Sequence, residues 1–146
     1  MEAEFVSTAE QDRLERKMVV WANTYPGLPV DVVNYEFLAA DRAGMALTGI
    51  QGTITEWDIL GNYEAEYQFS LYARVKPGDS NDERLKTVEL LNAFGDWAIN
   101  QEPDLGDGLE AVSVMPTSRA AIIAAYENGD EDYQITMKLL YRREGF

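Results

Sequence analysis

Between Tyr63 and Val75 the chain alternates apolar and polar for thirteen residues. Tyr63, Ala65, Tyr67, Phe69, Leu71, Ala73 and Val75 share one parity; Glu64, Glu66, Gln68, Ser70 and Arg74 share the other, with Tyr72 the one large ring among them. A period of two sustained over that length specifies a β-strand with one buried and one wet face. At about 3.3 Å per residue such a strand spans roughly 43 Å, long for a chain of this mass, so it must bend or project. The next stretch of chain narrows the fold. Pro77 and Gly78 mark a turn, then comes an amphipathic helix, then more strands.

The helix, Ser80 to Asn100, opens with a capping box of Ser80 and Glu83, and Asp82 and Glu83 suit the positive end of its dipole. Leu85, Val88, Leu91, Phe94, Trp97 and Ala98 form its apolar stripe, widened by Leu90. An earlier helix spans Ser7 to Ala22, again with a capping box (Ser7, Glu10) and a stripe of Leu14, Met18, Trp21 and Ala22. Glu10, Asp12, Glu15, Arg16 and Lys17 lie mostly off that stripe. Tyr25, Pro26 and Gly27 end the helix.

Val32 to Ala39 reads as a strand, and Met45 to Ile50 as a second, with Gly49 and Gly52 favouring a bulge or bend. Thr53 to Leu60 reads as extended or irregular because its alternation slips. Leu109 to Met115 alternates. Ala120 to Glu127 reads as a largely buried strand because Asn128-Gly129, a hairpin signal, comes directly after it. Tyr133 to Tyr141 is the last strand. The expected architecture is one α+β domain over residues 1–146: a mostly antiparallel sheet with two helices packed on one face. Phe69→Asp should then unfold the domain, since burying a Phe or Leu there is worth about 1.5–3 kcal/mol.

Composition removes whole classes of chemistry. The chain has no cysteine and no histidine, so disulfides, thiolate nucleophiles, zinc fingers and Ser-His triads are excluded within it. An enzyme would have to work with carboxylates, Tyr, Lys or Ser. The 26 acids against 12 bases give a formal charge of −14, which repels a phosphate backbone. No run reaches the ~18 apolar residues of a membrane span. The acidic start, Met1 to Glu4, lacks the basic and apolar runs of a secretory signal, so a cytoplasmic chain is expected.

Each candidate site competes with an ordinary structural role. Glu64 and Glu66 share a strand face about 6–7 Å apart, a spacing at which two carboxylates can serve as acid and base. They read instead as a solvated face. Asp79, Asn81 and Glu83 alternate like calcium ligands, but the sixth position is Arg84 rather than Gly, so they read as helix capping. Asp104 with Asp107, and Asp130 to Asp132, read as loops rather than metal cages. The glycines lack phosphate-loop spacing. Arg142-Arg143 is too small a basic patch for nucleic acid. Trp21, Trp57 and Trp97 read as core residues. No metal, cofactor or catalytic residue is expected.

The order of elements resembles that of tail terminator proteins of long-tailed bacteriophages and the related minor capsid proteins of prophage head–tail genes. The likeness runs from Gly61 to Arg142. It takes in the long strand through Tyr67 to Arg74, the helix from Asp82 to Trp97, the Pro116 to Ser118 segment, the hairpin, and Tyr133 to Tyr141 with its short basic tail. The resemblance implies a structural virion protein at the neck, made in the host cytoplasm. Six copies would ring the end of the tail tube, stop its growth and offer the head a docking surface. Its partners would be the tail tube protein and a head-completion protein, with DNA passing through unbound and no membrane involved. On that implication, Glu64, Glu66, Gln68 and Arg74 line the lumen or another ring surface. Two alternatives stay open: a cytoplasmic protein-interaction or small-ligand-binding domain without enzymatic activity, and a carboxylate enzyme.

Overall fold

The structure is a computed structural model that describes residues 4–28, 33–35 and 44–144. Strand β1 (Glu4–Phe5) leads into helix α1 (Thr8–Ala22). Then come β2 (Val33–Tyr35), β3 (Gly44–Trp57) and β4 (Tyr63–Val75). Helix α2 (Asn81–Ala98) crosses over to β5 (Leu109–Pro116), β6 (Ala121–Ala125) and β7 (Glu131–Arg143). The strands form one sheet in the order β1-β3-β4-β7-β5, with β2 also pairing β3 and β6 also pairing β7. Every pairing is antiparallel except β2 with β3. The fold is α+β.

β4 is the centre of the sheet. It pairs along its whole length with β7, from Tyr63 opposite Arg143 to Val75 opposite Glu131. Its apolar parity and that of β7 (Tyr133, Ile135, Met137, Leu139, Tyr141) are buried in one core. Leu14, Met18, Trp21 and Ala22 of α1 enter the same core, as do Leu91, Phe94 and Ala98 of α2. Both helices therefore lie on one face of the sheet. Their junction is aromatic: Trp21 stacks on Trp97 at 5.3 Å and meets Phe94 and Phe69 edge-on.

Four expectations need correction. Residues 45–50 and 53–57 belong to one strand, β3, interrupted by bulges at Ile50 and Thr55, and residues 58–60 are the turn that follows it. Each extra residue reverses side-chain parity, which is why the alternation slips. Gly49 and Gly52 serve the helix above them: a Cβ at Gly49 would collide with Tyr67 and Glu15, and one at Gly52 with Val6. Their bareness lets α1 sit low enough for Gln11 to accept from the Gly52 N–H at 2.8 Å. Next, β6 is a strand but not a buried one; Ile122, Ile123 and Tyr126 are exposed because β6 is an edge. Leu85 is exposed rather than part of the α2 stripe, and Thr87 and Gly95 are buried in its helix instead. Finally, Trp57 lies half exposed near the end of β3 rather than in the core. Of the expected strand from Val32 to Ala39, Val33–Tyr35 forms β2; Val32 and Glu36 to Ala39 lie outside the described residues.

Candidate functional site

The helix-free face of the sheet carries the four residues singled out on β4. Glu64 and Gln68 are exposed; Glu66 and Arg74 are half-buried. Register sets their neighbours. Glu64 lies between Glu56 of β3 and Arg142 of β7, Glu66 between Thr53 and Leu140, and Gln68 between Gln51 and Lys138. The face is thus mixed in charge, with Arg142 and Lys138 of β7 beside Glu64 and Gln68 of β4. Arg74 stands apart from the other three. Its guanidinium holds Asp132 through two hydrogen bonds, at 2.7 and 2.9 Å, and stacks over the Tyr126 ring.

Asp132 belongs to the run expected to be a loop, and each of its three acids has a cation. Asp132 takes Arg74, Glu131 takes Arg84 of α2 at 3.0 Å, and Asp130 takes Lys76 at 3.7 Å. Asp132 and Glu131 are in β7, not in a loop. Burial opposes ionisation of Asp132, yet Arg74 and the Tyr126 hydroxyl outweigh it and hold its carboxyl below the ordinary value. The Arg84 hydrogen bond does the same for Glu131. Among the described residues no group of acids is arranged to hold a metal ion. Of the other residues with calcium-like spacing or loop positions, Asn81 accepts from Arg84 at 3.2 Å and Asp104 caps the Gly106 N–H at 2.9 Å.

At the opposite end of β4 and β7 lies a cluster that periodicity does not reveal. Glu10 is 7% exposed, and its carboxylate accepts from Tyr63 (2.5 Å), Tyr141 (2.6 Å) and Arg143 (3.1 Å). The expected capping box is therefore half made. Ser7 Oγ accepts from the Glu10 N–H, but the Glu10 side chain turns inward. Desolvation, then the adjoining carboxylate, push both phenols above their ordinary value, Tyr141 far above. Both therefore keep their protons at neutral pH and act as donors. Two phenols and a guanidinium donate to Glu10, and the arrangement ties α1 to the end of the sheet. A cleft of about 300 Å³ opens beside it, lined by Ser7, Arg13, Asp107, Arg143 and Glu144 among others. A signal was present: Tyr63 and Tyr141 both fall on the buried parity, and a buried phenol needs an acceptor.

The β3–β4 hairpin ends in a shaped tip. Asp58 Oδ1 accepts from the N–H groups of Leu60 (2.8 Å) and Asn62 (2.9 Å), and Gly61 takes a positive φ of 86° to complete the turn. Desolvation acts against ionisation of Asp58, but those N–H groups prevail and leave its carboxyl below the ordinary value. The turn presents Ile59 wholly and Leu60 largely to solvent, next to half-exposed Trp57.

No protein-family model matches the chain and no curated protein matches it. Solved structures do match. One, whose name states no function, is 18% identical over 97% of this chain and 98% of its own, with a TM-score of 0.47.

Proposed function

We propose that this chain is a non-enzymatic assembly part, a ring-forming tail terminator at the neck of a long-tailed phage particle. The observation that carries the reading is the hairpin tip. An ordered turn that holds Ile59 and Leu60 out in water has a cost unless another surface takes them up, and exposed apolar groups so placed mark interaction sites. The resemblance of the chain to tail terminators supplies the kind of assembly. In this reading the tip reaches a neighbouring subunit or the tube. The helix-free face borders the DNA path through Glu64, Glu66 and Gln68, and Arg74, bound to Asp132, has a structural role. Tail tube and head-completion proteins are the partners, and no cofactor takes part.

The test is ring formation on purified tail tubes, viewed by negative-stain microscopy. Wild-type chain should cap tubes and stop their growth. The double variant Ile59→Asp, Leu60→Asp should keep the wild-type melting curve and fail to cap. Normal capping by the variant removes the tip from the assembly, and tubes that keep growing in the presence of wild-type chain remove the terminator reading. A ligand-binding module is the second reading. The cleft beside Glu10 favours it, since Arg13 and Arg143 both line that cleft.

A further inference from the structure

The turn between β6 and β7 holds the chain's one Asn-Gly pair, Asn128-Gly129. Each of the other asparagines precedes Thr, Tyr, Asp, Ala or Gln. The difference is chemical. A backbone nitrogen can attack the side-chain amide carbon of an asparagine just before it, and glycine, with no Cβ, lets that nitrogen approach most freely. Asn128 and Gly129 are both exposed, so water reaches the pair.

We infer that Asn128-Gly129 is a self-modification site: it deamidates when the β6–β7 hairpin opens, and the product then resists reclosing. In the step, Gly129 N attacks Asn128 Cγ. The N–Cγ bond forms, the Cγ–Nδ2 bond breaks, and Nδ2 leaves as ammonia with the hydrogen that Gly129 N gives up. Water then opens the cyclic imide at either carbonyl, which restores the Gly129 N–H and leaves aspartate or isoaspartate at 128. Water enters, ammonia departs, and a neutral amide becomes a carboxylate.

The closed turn engages both atoms that this step must free. Gly129 N–H donates to Tyr126 O at 3.0 Å. Asn128 Nδ2 donates to Asp130 Oδ2 at 3.1 Å, and Asn128 Oδ1 accepts from the Asp130 N–H at 3.0 Å. Reaction in the closed turn forfeits the first two bonds together, whereas in an open turn water has already replaced them. Opening costs little here because β6 is a five-residue edge strand whose Ile122, Ile123 and Tyr126 are exposed.

The product acts back on the turn. Deamidation replaces the Nδ2 donor with a carboxylate oxygen facing Asp130, itself a carboxylate only 4% exposed. Lys76, 3.7 Å from Asp130, is then shared by two acids. Isoaspartate also lengthens the main chain by one methylene between the Tyr126–Gly129 bond and the Tyr126 N–H bond to Asp130 O at 2.8 Å. The site stands independently of the terminator reading.

Ageing the full-length chain at mildly alkaline pH, folded or in guanidinium chloride, tests it by isoelectric focusing and peptide mapping. The expected acidic species carries its new charge at residue 128. It should form roughly tenfold or more faster in denaturant, where two hydrogen bonds no longer restrain it. Asp132→Ala removes the acceptor of the Tyr126 hydroxyl at 2.7 Å and should raise the folded-state rate. Asn128→Gln should suppress the species. Asn128→Asp, one of the products, should speed hydrogen exchange at the Gly129 and Tyr126 amides while the rest of the sheet keeps its protection. Equal rates in folded and denatured chain would remove the gate, an acidic species centred on another asparagine would remove the site, and hairpin exchange unchanged by Asn128→Asp would remove the product's effect; each overturns the inference.

Discussion

The two ends of the β4–β7 ladder solve the same problem in opposite ways. At the Val75–Glu131 end, three acids each meet a cation, and the cations come from β4, the turn after it and α2. At the Tyr63–Arg143 end, one acid collects two phenols and an arginine. The first arrangement gives each acid its own cation, and Asp130 and Asp132 are as buried as Glu10. The second gathers three donors on one carboxylate turned inward from α1, so that losing this one acid leaves all three without it. The two ends of the ladder are thus pinned differently, one by three separate pairs and the other by one shared acid, and the difference lies in how the partners are distributed rather than in burial.

Removing Glu10 at one end and Asp132 at the other exposes that asymmetry. Glu10→Ala strands Tyr63, Tyr141 and Arg143 around a void, and should cost about 3–5 kcal/mol in chemical denaturation. Asp132→Ala takes two hydrogen bonds from Arg74, whose guanidinium keeps its contact with Tyr126, and should cost about 1–3 kcal/mol. Equal losses would show that both ends are held alike.

The pH dependence sharpens the contrast, because the two ends fail in opposite directions. Tyr141 and Tyr63 hold their protons in the folded chain at pH values where the unfolded chain gives them up. The unfolded state then binds fewer protons, so stability present below about pH 10 is lost as pH rises past it. Asp132 and Glu131 lie below their ordinary values when folded. Their contribution is present above about pH 4 and is lost as pH falls below it. A series of melting temperatures should show both limbs. Tyr141→Phe should flatten the alkaline limb alone, and Arg74→Met the acid limb alone. A variant that alters the opposite limb would show the ends to be coupled.

Periodicity reads out well where one face of an element is wet and the other dry. That is why β4, β7 and the stripe of α1 are legible residue by residue. β3 divides into apparent fragments because Ile50 and Thr55 each shift the parity, and no local rule announces a bulge. The exposure of β6 depends on its place at the sheet's edge, which is a property of topology, whereas its composition speaks only of burial. Glu10 is hidden for another reason. Its position suits a cap, and its true partners are 53 and 131 residues away in Tyr63 and Tyr141. On the helix-free face, Glu64, Glu66 and Gln68 fall where alternation puts them, but the capture of Arg74 by Asp132 requires knowing that β7 lies beside β4.

The mildest expected effect lies at the first turn of α2, next to the end of the ladder held by separate ion pairs. Leu85 continues the helical stripe by spacing, yet it is 58% exposed, while Leu91 further along the helix is fully buried. The helix enters above the end of the sheet, capped by Ser80 and tied through Arg84 to Glu131, before its apolar face comes over Ile135 at Gly95. Leu85→Lys should therefore change stability by no more than about 0.5 kcal/mol. Leu91→Ala, on the same helix, should cost about 2–5 kcal/mol. If Leu85→Lys instead proved as damaging as Leu91→Ala, the start of α2 would have to sit on the core, and the acid-rich end of the ladder would be held by packing rather than by its ion pairs.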